Sequence, residues 1–213
     1  MTSGFNDDRI KSSLDKAEDY TTRREAKHKA EMNLVKKAFL SLNNVKKVLD
    51  APCGIGRATF LLAEMGYDAT GIDAGEGAII KAKELAAKDN IQCTLKEDNL
   101  KKTSFEDDTF DAVLCFRFFH HLLTAEARQH LVDELTRISN QYVLVSYLSP
   151  VSVTSWKRSL RVMLGGRKSS QETTPLSEIK TYFDQAGYEL VRDFAQTPVL
   201  HTLHLAVFKP KAG

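Results

Sequence analysis

Between Val45 and Tyr147 short apolar runs take turns with longer amphipathic ones, and no other feature limits the fold as much. Val45–Asp50, Asp68–Asp73, Ile91–Glu97, Asp111–Phe116 and Tyr142–Tyr147 read as strands. Arg57–Glu64, Gly77–Lys88 and a segment capped by Thr124 and running to about Ile138 read as helices, with Glu126 in the first turn where the helix dipole favours an acid. Nearly continuous apolar strands separated by helices imply a parallel sheet covered on both faces, with right-handed crossovers. A helix over Ser177–Ala186, closed by Gly187, precedes two more strands, Glu189–Phe194 and Thr202–Phe208. The link between those strands, Ala195–His201, contains Pro198 and is too short for a helix, so they must form a hairpin. The predicted fold is α/β: a doubly wound, seven-stranded, mostly parallel sheet ending in an antiparallel C-terminal hairpin.

A length of 213 residues fits one domain. Residues 1–44 form its N-terminal helical cap, where Ala26, Ala30, Leu34, Ala38 and Leu42 fall four apart. Residues 150–174 form a basic insertion, or lid, after the fifth strand. With 42% hydrophobic and 27% charged residues the chain can bury a core and is not disordered as a whole. The formal charge of +2 is too near neutral for nucleic acid to be the expected partner. Cys53, Cys93 and Cys115 lie far apart without a CxxC, which argues against a disulfide framework or a cysteine zinc site and fits a reducing compartment. The first twenty residues lack the apolar core of a signal peptide, and no run approaches the ~20 apolar residues of a membrane span. The expected location is the cytoplasm. No clustered acidic pair or HxxxH spacing calls for a metal.

The first strand leads into Asp50-Ala51-Pro52-Cys53-Gly54-Ile55-Gly56-Arg57. Glycines there let the backbone approach a ligand at the head of a helix, at the strand ends where sheet order reverses. Asp73 ends the second strand and can accept both hydroxyls of a ribose. The dinucleotide fingerprint GxGxxG is incomplete, because Thr59 stands at its third glycine. Asp50, at the mouth of the turn, would repel a pyrophosphate and suit a ligand carrying an ammonium and a sulfonium. No GxxxxGK[ST] phosphate loop occurs.

This stretch resembles motif I of the class I S-adenosylmethionine-dependent methyltransferases, small-molecule type, with Arg57 in place of the last glycine. Gly71-Ile72-Asp73 is similar to the ribose-holding end of that family's second strand. Glu97-Asp98-Asn99-Leu100 is similar to its adenine-contacting segment. Phe105–Val113 resembles the run before strand four, and His120-His121-Leu122 the histidine pair after it. The resemblance implies a cofactor, S-adenosylmethionine, with S-adenosylhomocysteine as product. It places Asp50, Ala51, Gly54, Gly56, Asp73, Ala74, Asp98, Asn99, Leu100 and Cys115 at the cofactor, although Cys53 and Cys115 also read as buried small hydrophobes. The family's usual R-x-L-K-P-G-G before strand five is replaced by Arg137–Gln141, and no NPPY-type motif follows strand four.

Methyl transfer requires an aligned acceptor, excluded water and, for a protonated nucleophile, a base. His121 is the first choice for that base or for orienting substrate, and His120 the second; packing under the fourth helix and loop exposure are the alternatives. Arg117 either holds an anionic substrate or pairs with a surface acid. In the family an N-terminal helix closes over the methionine end of the cofactor, which nominates Tyr20 and Arg24; a solvated helix face is the alternative. Residues 155–168 carry Lys157, Arg158, Arg161, Arg167 and Lys168 and no acid, with Trp156, Leu160, Met163 and Leu164 at helical spacing. Trp156, Arg158 and Arg161 thereby become substrate candidates. The segment serves as a lid for an anionic acceptor, as a contact with a membrane surface presenting a lipid-linked or glycoconjugate acceptor, or as a helix docked on the sheet with its charges in water. A nicotinamide-dependent oxidoreductase and a non-catalytic nucleotide-binding module are the rival functions.

Overall fold

The computed structural model describes residues 21–150, 173–195 and 203–212, with side chains of the first helix from Ala26 onward. That helix, α1, spans Thr21–Phe39. It stops short of Leu42 because the Ser41 and Leu42 amides turn back onto the Ala38 and Phe39 carbonyls. Then follow β1 (Lys47–Asp50), α2 (Arg57–Glu64), β2 (Asp68–Asp73), α3 (Glu76–Lys88), β3 (Thr94–Glu97), β4 (Phe110–Cys115), a single 3-10 turn (Phe119–His121), α4 (Ala125–Arg137), β5 (Ser139–Leu148), α5 (Leu176–Gln185), β6 (Tyr188–Ala195) and β7 (Leu203–Pro210). Thr124 caps α4 through its hydroxyl, which accepts from the Ala127 amide.

The seven strands run in the order β3-β2-β1-β4-β5-β7-β6. The first five are parallel. The last strand, β7, inserts antiparallel between β5 and β6, as the hairpin requires. Its residues Leu203, Leu205, Ala206, Val207 and Phe208 are buried, whereas β6 carries exposed Glu189 and Arg192 and forms the edge.

Three strand starts differ from the sequence expectation by two or three residues, for reasons of packing. The Lys46 and Lys47 amides donate to Asp111 Oδ2 at 2.9 and 2.8 Å, so β1 begins only at Lys47. Ile91 is tied to the Ala86 carbonyl and closes α3 instead of opening β3. The chain passes from α4 straight into β5, where Ser139 already pairs with Phe110.

Helices cover both faces. On one side α1 and α2 lay Leu34, Val35, Phe39 and Leu62 on Val48, Leu114 and Val207. On the other, α4 and α5 lay Leu131, Leu135, Ile179 and Phe183 on Val113, Val143 and Phe208. Sheet order reverses between β1 and β4, so a crevice opens at their carboxyl ends. No helix among the described residues is long and apolar enough to cross a membrane.

Candidate functional site

Asp50, the last residue of β1, does not stand at the mouth of the glycine turn. It lies beneath it, only 1% exposed. The Thr59 hydroxyl donates to its Oδ2 at 2.8 Å. Gly71 of β2 makes this possible, since a Cβ there would stand 2.6 Å from the Thr59 hydroxyl oxygen. Asp50 Oδ1 is buried and has no hydrogen-bond partner among the described residues. Burial pushes the Asp50 pKa up to about 7, against the opposing effects of the Thr59 hydrogen bonds and the Arg57 charge. A buried acceptor oxygen left open is costly unless a ligand donor meets it.

Above it the backbone turns through left-handed conformations at Gly54 (φ 56°) and Gly56 (φ 88°). A Cβ at Gly56 would strike the Phe60 ring at 2.5 Å, and a Cβ at Gly54 would enter open space. Asp73 holds the turn shut from the side. Its Oδ2 accepts from the Gly54 amide and its Oδ1 from the Gly75 amide, both at 2.9 Å. An ionised carboxylate has about four lone-pair sites, so each oxygen keeps one for a ligand. Ala74 is exposed at the same strand end.

Asp98 follows β3 and is heavily engaged by its own loop. Oδ1 accepts from the Asn99 amide, while Oδ2 takes the Ser104 amide and hydroxyl and an ion pair with Lys96 at 3.2 Å. Hydrogen bonds from Ser104, Asn99 and Lys96 outweigh desolvation and hold its pKa below the usual range. Its first role is therefore to shape the loop, which Glu134 anchors from α4 through the Thr103 amide and hydroxyl, each at 2.7 Å. Asn99 is exposed and accepts from the Lys101 amide. The side chains of Ala51, Leu100 and Cys115 belong to the apolar core, so these three can meet a ligand only through backbone atoms. Burial also pushes the Cys115 thiol pKa far up, which suits a packing role.

The 3-10 turn after β4 brings the two histidines together. Their ring centroids are 4.0 Å apart, His120 is buried and His121 half-buried. Just before them Arg117 adopts a left-handed φ of 57°, its amide donating to the Ser146 hydroxyl. Of the two expected partners of Arg117, the surface acid is replaced by a buried one. Its guanidinium pairs with Glu31 of α1, a carboxylate only 1% exposed, which Arg57 also reaches at 3.5 Å. Glu31 belongs to the site region without any local signal in the sequence.

A second group was likewise hidden. Across β5, β7 and β6, at the end where β5 finishes, Tyr147 Oη donates to Asp193 Oδ2 at 3.0 Å and His204 Nδ1 lies 2.7 Å from the same oxygen. Asp193 Oδ1 is buried without a hydrogen-bond partner among the described residues. The Thr174 amide donates to the Leu148 carbonyl, so the chain returns beside this strand end after residue 172. Tyr20, Trp156, Arg158 and Arg161 lie outside the described residues, as does the side chain of Arg24.

Comparison with known proteins gives a consistent result. Residues 48–141 match a family model described as "Methyltransferase domain". The chain is 35% identical over 97 residues to a glycine/sarcosine N-methyltransferase of Aphanothece halophytica, a match covering 45% of this chain and 37% of that protein. It is 27% identical over 164 residues to a ubiquinone biosynthesis O-methyltransferase of Haemophilus ducreyi, covering 68% and 65% of the two chains. Both matches span less than two thirds of the relative's own length. Among solved structures, the magnesium protoporphyrin IX methyltransferase of Synechocystis PCC 6803 with bound SAH superposes with a TM-score of 0.73 at 18% identity, covering 88% of this chain and 85% of the other. That likeness shows the fold.

Proposed function

We propose, for a chain that belongs to the class I S-adenosylmethionine-dependent methyltransferase family, that it moves a methyl group from S-adenosylmethionine to an oxygen, nitrogen or carbon nucleophile of a small molecule. The observation that carries this is the buried, unpartnered Asp50 Oδ1 beneath an open glycine turn. An ammonium placed there satisfies the orphaned acceptor and offsets the cost of an ionised buried carboxylate. A pyrophosphate would add negative charge at the same place, which disfavours a nicotinamide dinucleotide.

The residues present fit the nucleoside. Asp50 would hold its ammonium, and the remaining lone pairs of Asp73 its ribose hydroxyls, with the carboxylate already oriented by the Gly54 and Gly75 amides. The backbone amides of Asn99 and Leu100, with Asp98, would meet the adenine edge. When bound, the sulfonium supplies the activated methyl for an in-line displacement. The chain's own work is then to position the acceptor, exclude water and take up a proton. His121 is the proton acceptor in this scheme, and His120, packed against its ring, limits how the imidazole can turn. Tyr147, Asp193 and His204, on β5, β6 and β7, form a polar group beyond β4 on the side assigned to the acceptor. The basic segment 155–168 receives an anionic, glycoconjugate or lipid-linked part of the acceptor.

Transfer of labelled methyl groups from S-adenosylmethionine into fractionated extract, with lipids and envelope polysaccharide included, tests the activity. On whichever fraction is labelled, His121→Ala is expected to lower turnover ~10²–10⁴-fold, the range for losing a general base, while adenosylhomocysteine affinity stays unchanged. Unaltered turnover would remove His121 from this role.

A further inference from the structure

Glu31 is a carboxylate on a helix, 1% exposed, and a charge in that position persists only if it is paired. Lys27, one turn earlier on the same helix, lies 3.9 Å from it, and its two other partners come from both walls of the crevice. Arg57 opens α2 directly after the glycine turn of β1, and Arg117 stands two residues beyond the end of β4. β1 and β4 are the neighbours between which sheet order reverses. We propose that Glu31 is a positioning residue: from α1 it draws Arg57 and Arg117 together across the crevice and so builds a cationic seat for the carboxylate of the ligand's amino-acid tail. This inference rests on the functional reading above and adds a residue that the sequence motifs do not contain.

Three features support it. Two guanidinium groups and the Lys27 ammonium answer one carboxylate, so positive charge is left over. Each arginine side chain remains about one-third exposed, 35% for Arg57 and 31% for Arg117. Each has further N–H donors with no hydrogen-bond partner among the described residues, and a guanidinium has five to give. Finally, the charge of Arg57 is felt at Asp50. In an α-amino acid the ammonium and the carboxylate share one carbon, so a ligand whose ammonium meets Asp50 must place its carboxylate close by, where the arginines are. Arg117 makes its contact with Glu31 from a left-handed backbone, which a non-glycine residue rarely adopts, two residues past the end of β4.

Two ligands separate tail recognition from nucleoside recognition. Adenosylhomocysteine carries the amino-acid tail; 5′-methylthioadenosine keeps the nucleoside thioether and lacks it. Both are titrated calorimetrically into the full chain and into Glu31→Gln, which keeps the shape and loses the charge. The expected result is at least ~10-fold weaker adenosylhomocysteine binding, about 1.4 kcal/mol, with methylthioadenosine affinity unchanged within about twofold. Unchanged adenosylhomocysteine affinity, or equal weakening of both ligands, would overturn the seat and leave the functional reading in place. If the wild-type protein binds neither ligand, the functional reading fails first. Should Glu31→Gln not fold, Arg57→Gln and Arg117→Gln carry the same comparison, and each is expected to show the same tail-specific loss.

Discussion

Asp50→Asn is expected to make the protein more stable and unable to hold its cofactor. An unfolded aspartate titrates near 3.9, whereas burial raises the folded Asp50 to about 7. Between those values the folded state binds more protons than the unfolded one, so stability falls as pH rises from about 4 to about 7 and is level beyond. The cost of the ionised form is of order 4 kcal/mol. Asparagine removes the charge, keeps an oxygen for the Thr59 hydroxyl and leaves an amide where Oδ1 now lacks a partner. The net gain at pH 8 is expected to be ~1–3 kcal/mol after that unsatisfied amide is counted, read as a higher melting temperature. Adenosylhomocysteine binding should weaken at least ~30-fold, the lower end for truncating one partner of a buried charge pair. Wild-type affinity should also rise roughly tenfold per pH unit between about 5 and 7, then level, while the variant shows no such slope. A variant that is less stable and binds normally would mean that Asp50 is a structural acid.

The second large effect is expected at Asp73, and its pattern differs. Asp73→Ala strips the acceptor from two backbone amides, Gly54 in the turn after β1 and Gly75 in the turn after β2. Leaving them unmet costs ~1–3 kcal/mol for each one that water does not reach, so a clear drop in melting temperature should follow. With Asp73 proposed to hold the ribose rather than the tail, adenosylhomocysteine and methylthioadenosine should both weaken, by ~100-fold or more if two charge-assisted hydrogen bonds are lost at ~1.5–3 kcal/mol each. Asp50→Asn should spare methylthioadenosine. The two acids thus report on different ends of one ligand, and a shared loss pattern would refute that division.

Much of this was legible in the sequence because it is local. Runs such as Ala112–Phe116 disclose buried strands, and the glycines at 54 and 56 disclose the turn that the left-handed backbone requires. Asp50 and Asp73 were readable because each sits at the end of such a strand. Residues that meet only through the tertiary fold were not. Glu31 and Arg117 are 86 positions apart, and Tyr147 and Asp193 are 46 apart, brought together when β7 slides between β5 and β6. Asp98 shows the converse case. Its position matches an adenine contact, yet Ser104, six residues on, takes up most of its capacity. Arg117 was visible as a cation after β4, but its buried partner on α1 was not.

Calorimetric titration of the wild-type protein with adenosylhomocysteine, and separately with NAD, tests the central claim most directly. The expected result is saturable one-to-one binding of adenosylhomocysteine in the ~1 μM–1 mM range in which enzymes commonly hold their substrates, and no heat of binding with NAD. Binding of NAD with none of adenosylhomocysteine would contradict it.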